Sequence, residues 1–105
     1  MKNILLVGRN QWVVDGAKRE LDSESICVLG ALSVVDVEQA FVRHTIDHVF
    51  IGPGLDLDTR LQAVRVVFSE SDHTTVHMKD HSTGPEGGLN FVRAILSGLT
   101  ELDAN

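Results

Sequence analysis

The sequence predicts an α/β fold in three layers (α/β/α), with helices on both faces of a four-stranded parallel sheet whose strand order is 2-1-3-4. Three observations predict it. Short apolar runs alternate four times with segments of helical periodicity, the connections between them are short, and the first and third runs are the most uniformly apolar. Middle strands of a parallel sheet are buried on both faces, so strands one and three belong there. Right-handed crossovers then place helices on both sides of the sheet.

The first half of the chain predicts two strands and two helices. Residues 4–7 form a continuous apolar run that Gly8 closes, and residues 26–32 form a second run. After each run, apolar residues recur at helical spacing, with Asn10 and Ser33 as the expected N-caps. The two apolar stripes consist of Val13, Val14, Ala17 and Leu21, and of Val34, Val37, Ala40 and Phe41.

The third strand and the third helix follow the same pattern. Residues 47–51 predict the strand, and a Gly-Pro-Gly turn at residues 52–54 ends it. Asp56 and Asp58 fall in the first turn of the predicted helix, where the exposed backbone amides favour negative charge. Its apolar stripe consists of Leu57, Leu61, Val64 and Phe68.

The last strand and helix complete the predicted domain. Residues 74–78 are a weaker, more polar strand, which indicates a sheet edge. Thr83, Pro85 and Glu86 then combine a capping box with a proline in the first helical turn, so they predict the start of helix four. The stripe of that helix consists of Leu89, Val92, Leu96 and Leu99. A fifth βα unit is absent from the pattern.

Length and composition predict one globular domain over residues 1–100 and a frayed tail over residues 101–105. The chain has 105 residues, of which 43% are hydrophobic and 23% charged, enough for one core. The N-terminal segment has only four consecutive apolar residues, too few for a signal peptide or a membrane span. The single Cys27 suits a reducing compartment, so we expect a cytoplasmic protein.

The charge of the chain argues against a general affinity for polyanions. Fifteen acidic against nine basic side chains leave a formal net charge of −6. Binding to nucleic acid or to an anionic membrane surface is therefore not expected. The expected partners are another protein, a second copy of the chain, or a small anionic ligand at a local basic site. No cofactor is expected.

Two strands and one loop carry a family resemblance. Residues 2–7 form the opening strand, residues 47–51 form the third strand, and a polar loop with Pro53 follows. With this pattern, residues 1–80 resemble the receiver domains of bacterial response regulators, in particular their degenerate pseudo-receiver relatives, within the flavodoxin-like fold. The resemblance implies a signalling module that acts through protein contacts.

The same comparison implies that phosphotransfer chemistry is missing. Receivers carry an acidic pair after strand one that holds magnesium, and here Gly8-Arg9-Asn10 occupies that turn. The phosphoacceptor aspartate of the family corresponds to Gly52, and Lys79 stands where the family has Thr or Ser. No phosphoacceptor role is carried over to any residue of this chain.

Polar residues collect at the carboxyl edge of the predicted sheet, where βα loops usually hold ligands. Arg9 and Lys79 would supply positive charge there, and the amides at the start of helix four would bind a phosphate or a carboxylate. The candidate anion site consists of Arg9, Asn10, Gly52, Gly54, Lys79, Ser82, Thr83 and Gly87. The alternative is a polar edge whose glycines only form turns.

Two consecutive glycines, Gly87 and Gly88, lie early in the predicted fourth helix. In a helix interior, glycine costs about 1 kcal/mol relative to alanine, so their presence requires a reason. Close approach of a ligand, of another helix or of a second copy would supply one, and so would a frayed helix start.

Three histidines, His73, His77 and His81, recur every four residues and are weak candidates for a metal site. On a helix this spacing would place the imidazoles on one face. The local pattern predicts a strand, where residues four apart are separated by roughly 13 Å. We therefore expect no shared metal ion.

Sequence motifs of familiar enzyme classes are missing. The chain has no Gly-x-Ser-x-Gly elbow, no phosphate loop ending in Gly-Lys-Ser/Thr and no Gly-x-Gly-x-x-Gly after strand one. The sequence therefore predicts a non-catalytic, receiver-like regulatory or protein-interaction module. The alternative is a small anionic-ligand-binding or enzymatic domain that uses the carboxyl edge of the sheet.

Overall fold

The predicted fold class is confirmed by the computed structural model, which describes residues 1–80 and 84–103, with side chains for residues 1–80 and 88–99. All strand pairs in these ranges are parallel, and the order is β2-β1-β3-β4. The elements are β1 (Lys2–Val7), α1 (Gln11–Leu21), β2 (Ile26–Ala31), α2 (Val34–Arg43), β3 (His48–Ile51), α3 (Leu57–Glu70), β4 (Thr75–Met78) and α4 (Gly84–Asp103).

The sheet separates two hydrophobic cores, because successive side chains of a strand point to opposite faces. On one face, Ile4, Leu6 and Phe50 pack with residues of α1 and α4. On the other, Leu5, Val7, Val49 and Ile51 pack with residues of α2 and α3. The described residues contain no fifth strand, and the last helix follows β4 directly and packs on the α1 side of the sheet.

Side-chain caps begin two of the helices. The Ser33 Oγ accepts a hydrogen bond from the Asp36 amide at 3.2 Å at the start of α2. Asp56 is the N-cap of α3, and its Oδ1 accepts from the Thr59 amide at 2.8 Å. Hydrogen bonds from Thr59 hold the pKa of Asp56 below its usual value. Asn10 occupies the predicted N-cap position of α1 without a side-chain capping bond.

The stripe that predicts α3 is not the face that the helix buries. Leu57, Leu61 and Phe68 are 56%, 45% and 59% exposed. The residues buried against the sheet are instead Arg60, Ala63 and Val67. The buried face and the apolar stripe are about a quarter turn apart around the helix. On this helix the short side chains of Ala63 and Val67 are buried together with Arg60, while the large apolar side chains of Leu57, Leu61 and Phe68 remain exposed.

The C-terminal helix extends beyond the predicted domain boundary. α4 continues to Asp103, and Ala104 and Asn105 lie outside the described residues. The hydroxyl of the predicted capping box belongs to Thr83, which also lies outside them. Within the described ranges, no helix is both long and apolar enough to cross a membrane.

Candidate functional site

A cavity of about 240 Å³ lies at the carboxyl edge of the sheet, between the ends of β1 and β3. α1 closes it on one side and α4 on the other. The crossover from β1 goes to β2 and the crossover after β3 goes to β4, so the winding of the chain reverses at this point. Such a reversal opens a crevice between neighbouring loops, which is the usual ligand position in open α/β sheets.

The walls of the cavity are apolar. Leu6 and Phe50 form its floor from the sheet, and Phe91 packs edge-on to Phe50 with 6.4 Å between the ring centroids. The side walls come from Val13, Val14 and Ala17 of α1, and from Leu89 and Val92 of α4. These groups offer no hydrogen bonds, so the interior suits the apolar part of a ligand.

The mouth of the cavity is polar and basic. It is lined by Arg9 and Asn10, which follow β1, and by Lys79, which follows β4. The loop after β3 lies beside them. Arg9 is exposed, and it forms no hydrogen bond or ion pair with any described residue. Its charge contributes to lowering the pKa of Asp56. Lys79 differs, because its side chain is mostly covered and pairs with Asp80.

Several of the predicted site residues meet at this cavity. Arg9, Asn10, Gly52, Gly54 and Lys79 all line it. Gly87 belongs to the first turns of α4, next to the cavity-lining Gly88. Ser82 and Thr83 lie outside the described residues. The loops after parallel strands all lie at the carboxyl edge of the sheet. Residues up to 70 positions apart in the sequence, from Arg9 to Lys79, therefore meet at this cavity.

The histidine series does not form a cluster in the part of the chain that the structure describes. His73 precedes β4 and contacts Ser71, His77 lies within β4, and His81 is outside the described residues. Within residues 1–80 and 84–103, no group of three or more His, Cys, Asp or Glu side chains is placed to hold a metal ion.

His77 instead pairs with His48, which the sequence pattern did not single out. The His48 Nδ1 and the His77 Nε2 are 3.3 Å apart, and His77 also stacks on Phe50 at 4.7 Å. Burial, followed by the charge of His48, lowers the pKa of His77 below its ordinary value. A histidine inside an otherwise apolar strand was the only available signal. The pair lies behind Phe50 and is absent from the cavity lining.

A second apolar region lies on the other side of the sheet, along α3 and β4. We call it the edge surface, and it consists of Leu57, Leu61, Val64 and Phe68 of α3 with Val76 and Met78 of β4. Val76 packs on the same core cluster as Ala63 and Val67, so β4 and α3 meet on this face. α2 packs against α3, and the exposed stripe is therefore on the flank of α3 that faces away from α2, toward β4.

β4 forms the open edge of the sheet in the described residues. It pairs with β3 on one side, from His48 with Thr75 to Ile51 with Met78. Its other side has no strand partner in these ranges. The backbone groups of an unpaired edge are ready to pair with a further strand. The edge surface thus combines exposed apolar side chains with a free strand edge.

No protein-family model and no curated protein sequence matches the chain. The resemblance to receiver domains therefore stays a prediction from the sequence pattern.

Proposed function

We propose that this chain is a non-catalytic, receiver-like regulatory module that acts through protein contacts and forms a homodimer through its edge surface. The observation that supports it best is the exposure of Leu57, Leu61 and Phe68 in one row on α3. Scattered exposed apolar residues are normal on a protein surface, whereas large contiguous apolar patches mark contact sites, and this row supplies adjacent apolar side chains for such a patch. The row lies beside the open edge of β4, so the contact has both side-chain and backbone components.

The spacing of the row favours a second copy as the partner. Leu57, Leu61, Val64 and Phe68 are separated by four, three and four residues, a pattern that reads the same in both directions. Two α3 helices packed antiparallel about a two-fold axis therefore place Leu57 of one protomer against Phe68 of its partner. Leu61 comes against Val64 in the same way. A two-fold interface requires self-complementarity of this kind.

The strand edge is compatible with the same two-fold axis. Antiparallel pairing of β4 with its symmetry mate would give one continuous sheet and bring the two α3 helices side by side. Paired strands lie about 4.8 Å apart and packed helices about 8–10 Å apart, so both contacts fit if each helix sits slightly inside its edge strand. Asp58 of one protomer would then lie within one helical turn of Arg65 of its partner, with opposite charge.

The proposal does not include phosphotransfer because of the residues that follow β1 and β3. Gly8-Arg9-Asn10 follows β1, and Gly52 follows β3. Neither turn offers the carboxylates that would hold magnesium and accept a phosphoryl group in a receiver. A cytoplasmic location is part of the proposal, because Cys27 is a free thiol and reducing compartments preserve thiols.

Sedimentation velocity of the wild-type chain and of Leu61→Lys tests the proposal. The wild type should sediment as a dimer of about 23 kDa, twice the 11.5 kDa mass of the chain. Leu61→Lys should sediment as a monomer, because the ammonium group would be buried at the interface without a partner. Leu61 is 45% exposed, so the variant should keep its fold, which far-ultraviolet circular dichroism verifies.

Val42→Lys is the matched control. Val42 is an exposed apolar residue of α2, 83% accessible, and lies outside the edge surface. The substitution adds the same charge, and the variant should remain a dimer. A wild-type chain that is monomeric at all concentrations up to about 100 µM would contradict the proposal, since interfaces of ordinary size bind at micromolar or tighter affinity.

A further inference from the structure

Four described glycines line the cavity, and a Cβ added at two of them would meet closer neighbours than at the other two. A Cβ added at Gly52 would lie 3.4 Å from the Val7 carbonyl oxygen, and one at Gly54 would lie 3.4 Å from the Arg9 Cβ. Both distances lie at the lower limit of ordinary van der Waals contact, so a side chain has little spare room there. At Gly8 the nearest described atom would be Val14 Cγ2 at 3.7 Å, which is an ordinary contact. The space next to Gly8 is part of the cavity.

Gly88 is the more informative of the two open positions. It lies within α4, where glycine destabilises a helix relative to alanine. The nearest described atom to an added Cβ would be Pro53 Cδ at 3.9 Å, so a methyl group fits. Its backbone does not have the positive φ that would require glycine. Neither packing against a described residue nor backbone conformation requires glycine here, and Gly88 lies on the cavity wall, where a side chain would take up cavity space.

The cavity mouth offers a place for one negative charge. Arg9 and Asn10 stand directly before α1, and the Asn10 carboxamide makes no capping bond. The first turn of α1 contains no acidic residue, so the positive end of the helix dipole is not compensated there. The guanidinium, the carboxamide and the first amides of α1 are donors of the kind that bind a carboxylate or a phosphate.

We infer that this cavity binds a small amphiphilic anion, with an apolar body between α1 and α4 and a single carboxylate or phosphate group beside Arg9 and Asn10. The inference goes beyond the proposed homodimer and does not depend on it. The cavity of about 240 Å³ exceeds the 150 Å³ or so that accepts benzene in an apolar protein interior, and it is smaller than the sites of drug-sized ligands. A medium-chain alkyl group or a single aromatic ring matches this size.

Isothermal titration calorimetry with four probes tests the inference, with the two amphiphilic anions kept below their micelle concentrations and 1-octanol below its solubility limit. Octanoate and octyl phosphate carry the apolar chain with each of the two head groups, 1-octanol carries the chain without charge, and acetate carries the charge without the chain. We expect octanoate or octyl phosphate to bind at least tenfold more tightly than both 1-octanol and acetate. The stronger of the two anions identifies the head group.

Gly88→Ala and Gly98→Ala form a matched pair for the cavity. Both lie in α4, and an added methyl group at Gly98 meets no described atom within 4 Å. Each substitution should raise the melting temperature by a few degrees, because alanine favours the helix. Only Gly88→Ala should weaken binding of the anionic probe, by at least tenfold, since its methyl group occupies the cavity.

Arg9→Gln and Arg19→Gln form the matched pair for the head group. Both remove one positive charge, and Arg19 lies in the last turn of α1, away from the mouth. Arg9→Gln should weaken binding of the anionic probe about tenfold and leave 1-octanol unchanged, while Arg19→Gln should leave both unchanged.

Three results would overturn the inference. The first is that neither anionic probe binds the wild-type chain. The second is that 1-octanol binds as tightly as the anions, which would remove the head-group site. The third is that Gly88→Ala and Gly98→Ala bind the anionic probe equally well, which would place any binding outside this cavity.

Discussion

The cavity and the edge surface are both apolar, but they lie on opposite faces of the sheet and differ in shape and in polar surroundings. The cavity is concave, its walls are α1 and α4, and its basic mouth holds Arg9 and Lys79. The edge surface is an exposed row on α3 beside a free strand edge, with Asp58 and Arg65 next to it. A concave apolar space with charge at one end suits a small molecule, whereas an open row with both charges suits a protein surface.

The position of α4 explains why α3 exposes Leu57, Leu61 and Phe68. The fourth helix lies on the α1 face, where it closes the cavity, and no further described element covers the outer flank of α3. The position of α4 therefore encloses the cavity and leaves the edge surface open. Changes in the two regions should therefore affect different measurements.

The largest expected effect separates the two flanks of α3. Val67 is fully buried and its neighbour Phe68 is 59% exposed. In the monomeric Leu61→Lys background, Val67→Ala should lower the free energy of unfolding by about 2 kcal/mol, because it leaves a cavity in the core. Phe68→Ala should change it by less than about 0.5 kcal/mol. Urea denaturation measures both. Equal losses would mean that Phe68 is a core residue.

A second substitution tests how tightly the cavity wall is fixed. An alanine at Gly30 of β2 would overlap Val14 Cγ1, and Val14 lines the cavity. Gly30→Ala should destabilise the chain by about 1–2 kcal/mol, because Val14 must change its position. It should also alter binding of the anionic probe and leave dimerisation unchanged. A variant as stable as the wild type would show that Val14 moves freely.

A third change should stabilise the protein. Gly98 lies in the described part of α4, and an added Cβ would meet no described atom outside the local helix backbone within 4 Å. Gly98→Ala should raise the free energy of unfolding by about 1 kcal/mol, which is the difference in helix propensity. Thermal unfolding measures it. If Gly98→Ala is neutral while Gly88→Ala stabilises the chain, the C-terminal part of α4 contributes little to folding.

The smallest expected effect concerns pH. The pKa of His77 is lowered from its ordinary value of 6.5, mainly by burial. The folded state therefore binds this proton less readily than the unfolded state, and the full stability is present above pH 6.5. Stability should fall as the pH drops below 6.5, until the folded-state pKa is passed. His77→Gln should reduce this slope relative to the wild type in urea titrations at pH 7.5 and 5.5. An unchanged slope would assign the pH dependence to other groups.

Much of the fold was predictable because its determinants are local. Alternating apolar runs predicted the strands, and Ser33 makes the capping hydrogen bond expected of it, while Asp56, expected in the first turn of α3, is its N-cap. The strand order alone was enough to predict that Arg9, Gly52 and Lys79 lie close together, because the loops after parallel strands share one edge of the sheet, and all three line the cavity. Each of these predictions follows from a short segment or from a topological rule that applies to any parallel sheet.

Other features depend on tertiary packing and were not predictable from periodicity. α3 carries two rows at helical spacing, and the more apolar row, which includes Leu61, is the exposed one. The sequence pattern could not show which row faces the sheet, because that depends on which neighbours cover the helix. The His48–His77 contact was missed for a similar reason, since it joins two strands through their register.

The central claim is that two α3 helices meet antiparallel across a two-fold axis, and site-directed cross-linking tests it most directly. Leu57→Cys and Phe68→Cys chains are prepared separately with Cys27→Ser, which removes the single native thiol. A short bifunctional maleimide is then applied to each chain alone and to their mixture. In the proposed dimer Leu57 faces Phe68, whereas two Leu57 positions are about 16 Å apart along the helices.

We predict cross-linked dimer in the mixture of Leu57→Cys with Phe68→Cys, and little in either chain alone. Cross-linking of Leu57→Cys to itself would indicate a parallel arrangement of the helices and contradict the proposed two-fold axis. Absence of cross-linking in all three samples, while Leu61→Lys and the wild type sediment alike, would show that α3 is not an interface between copies of this chain.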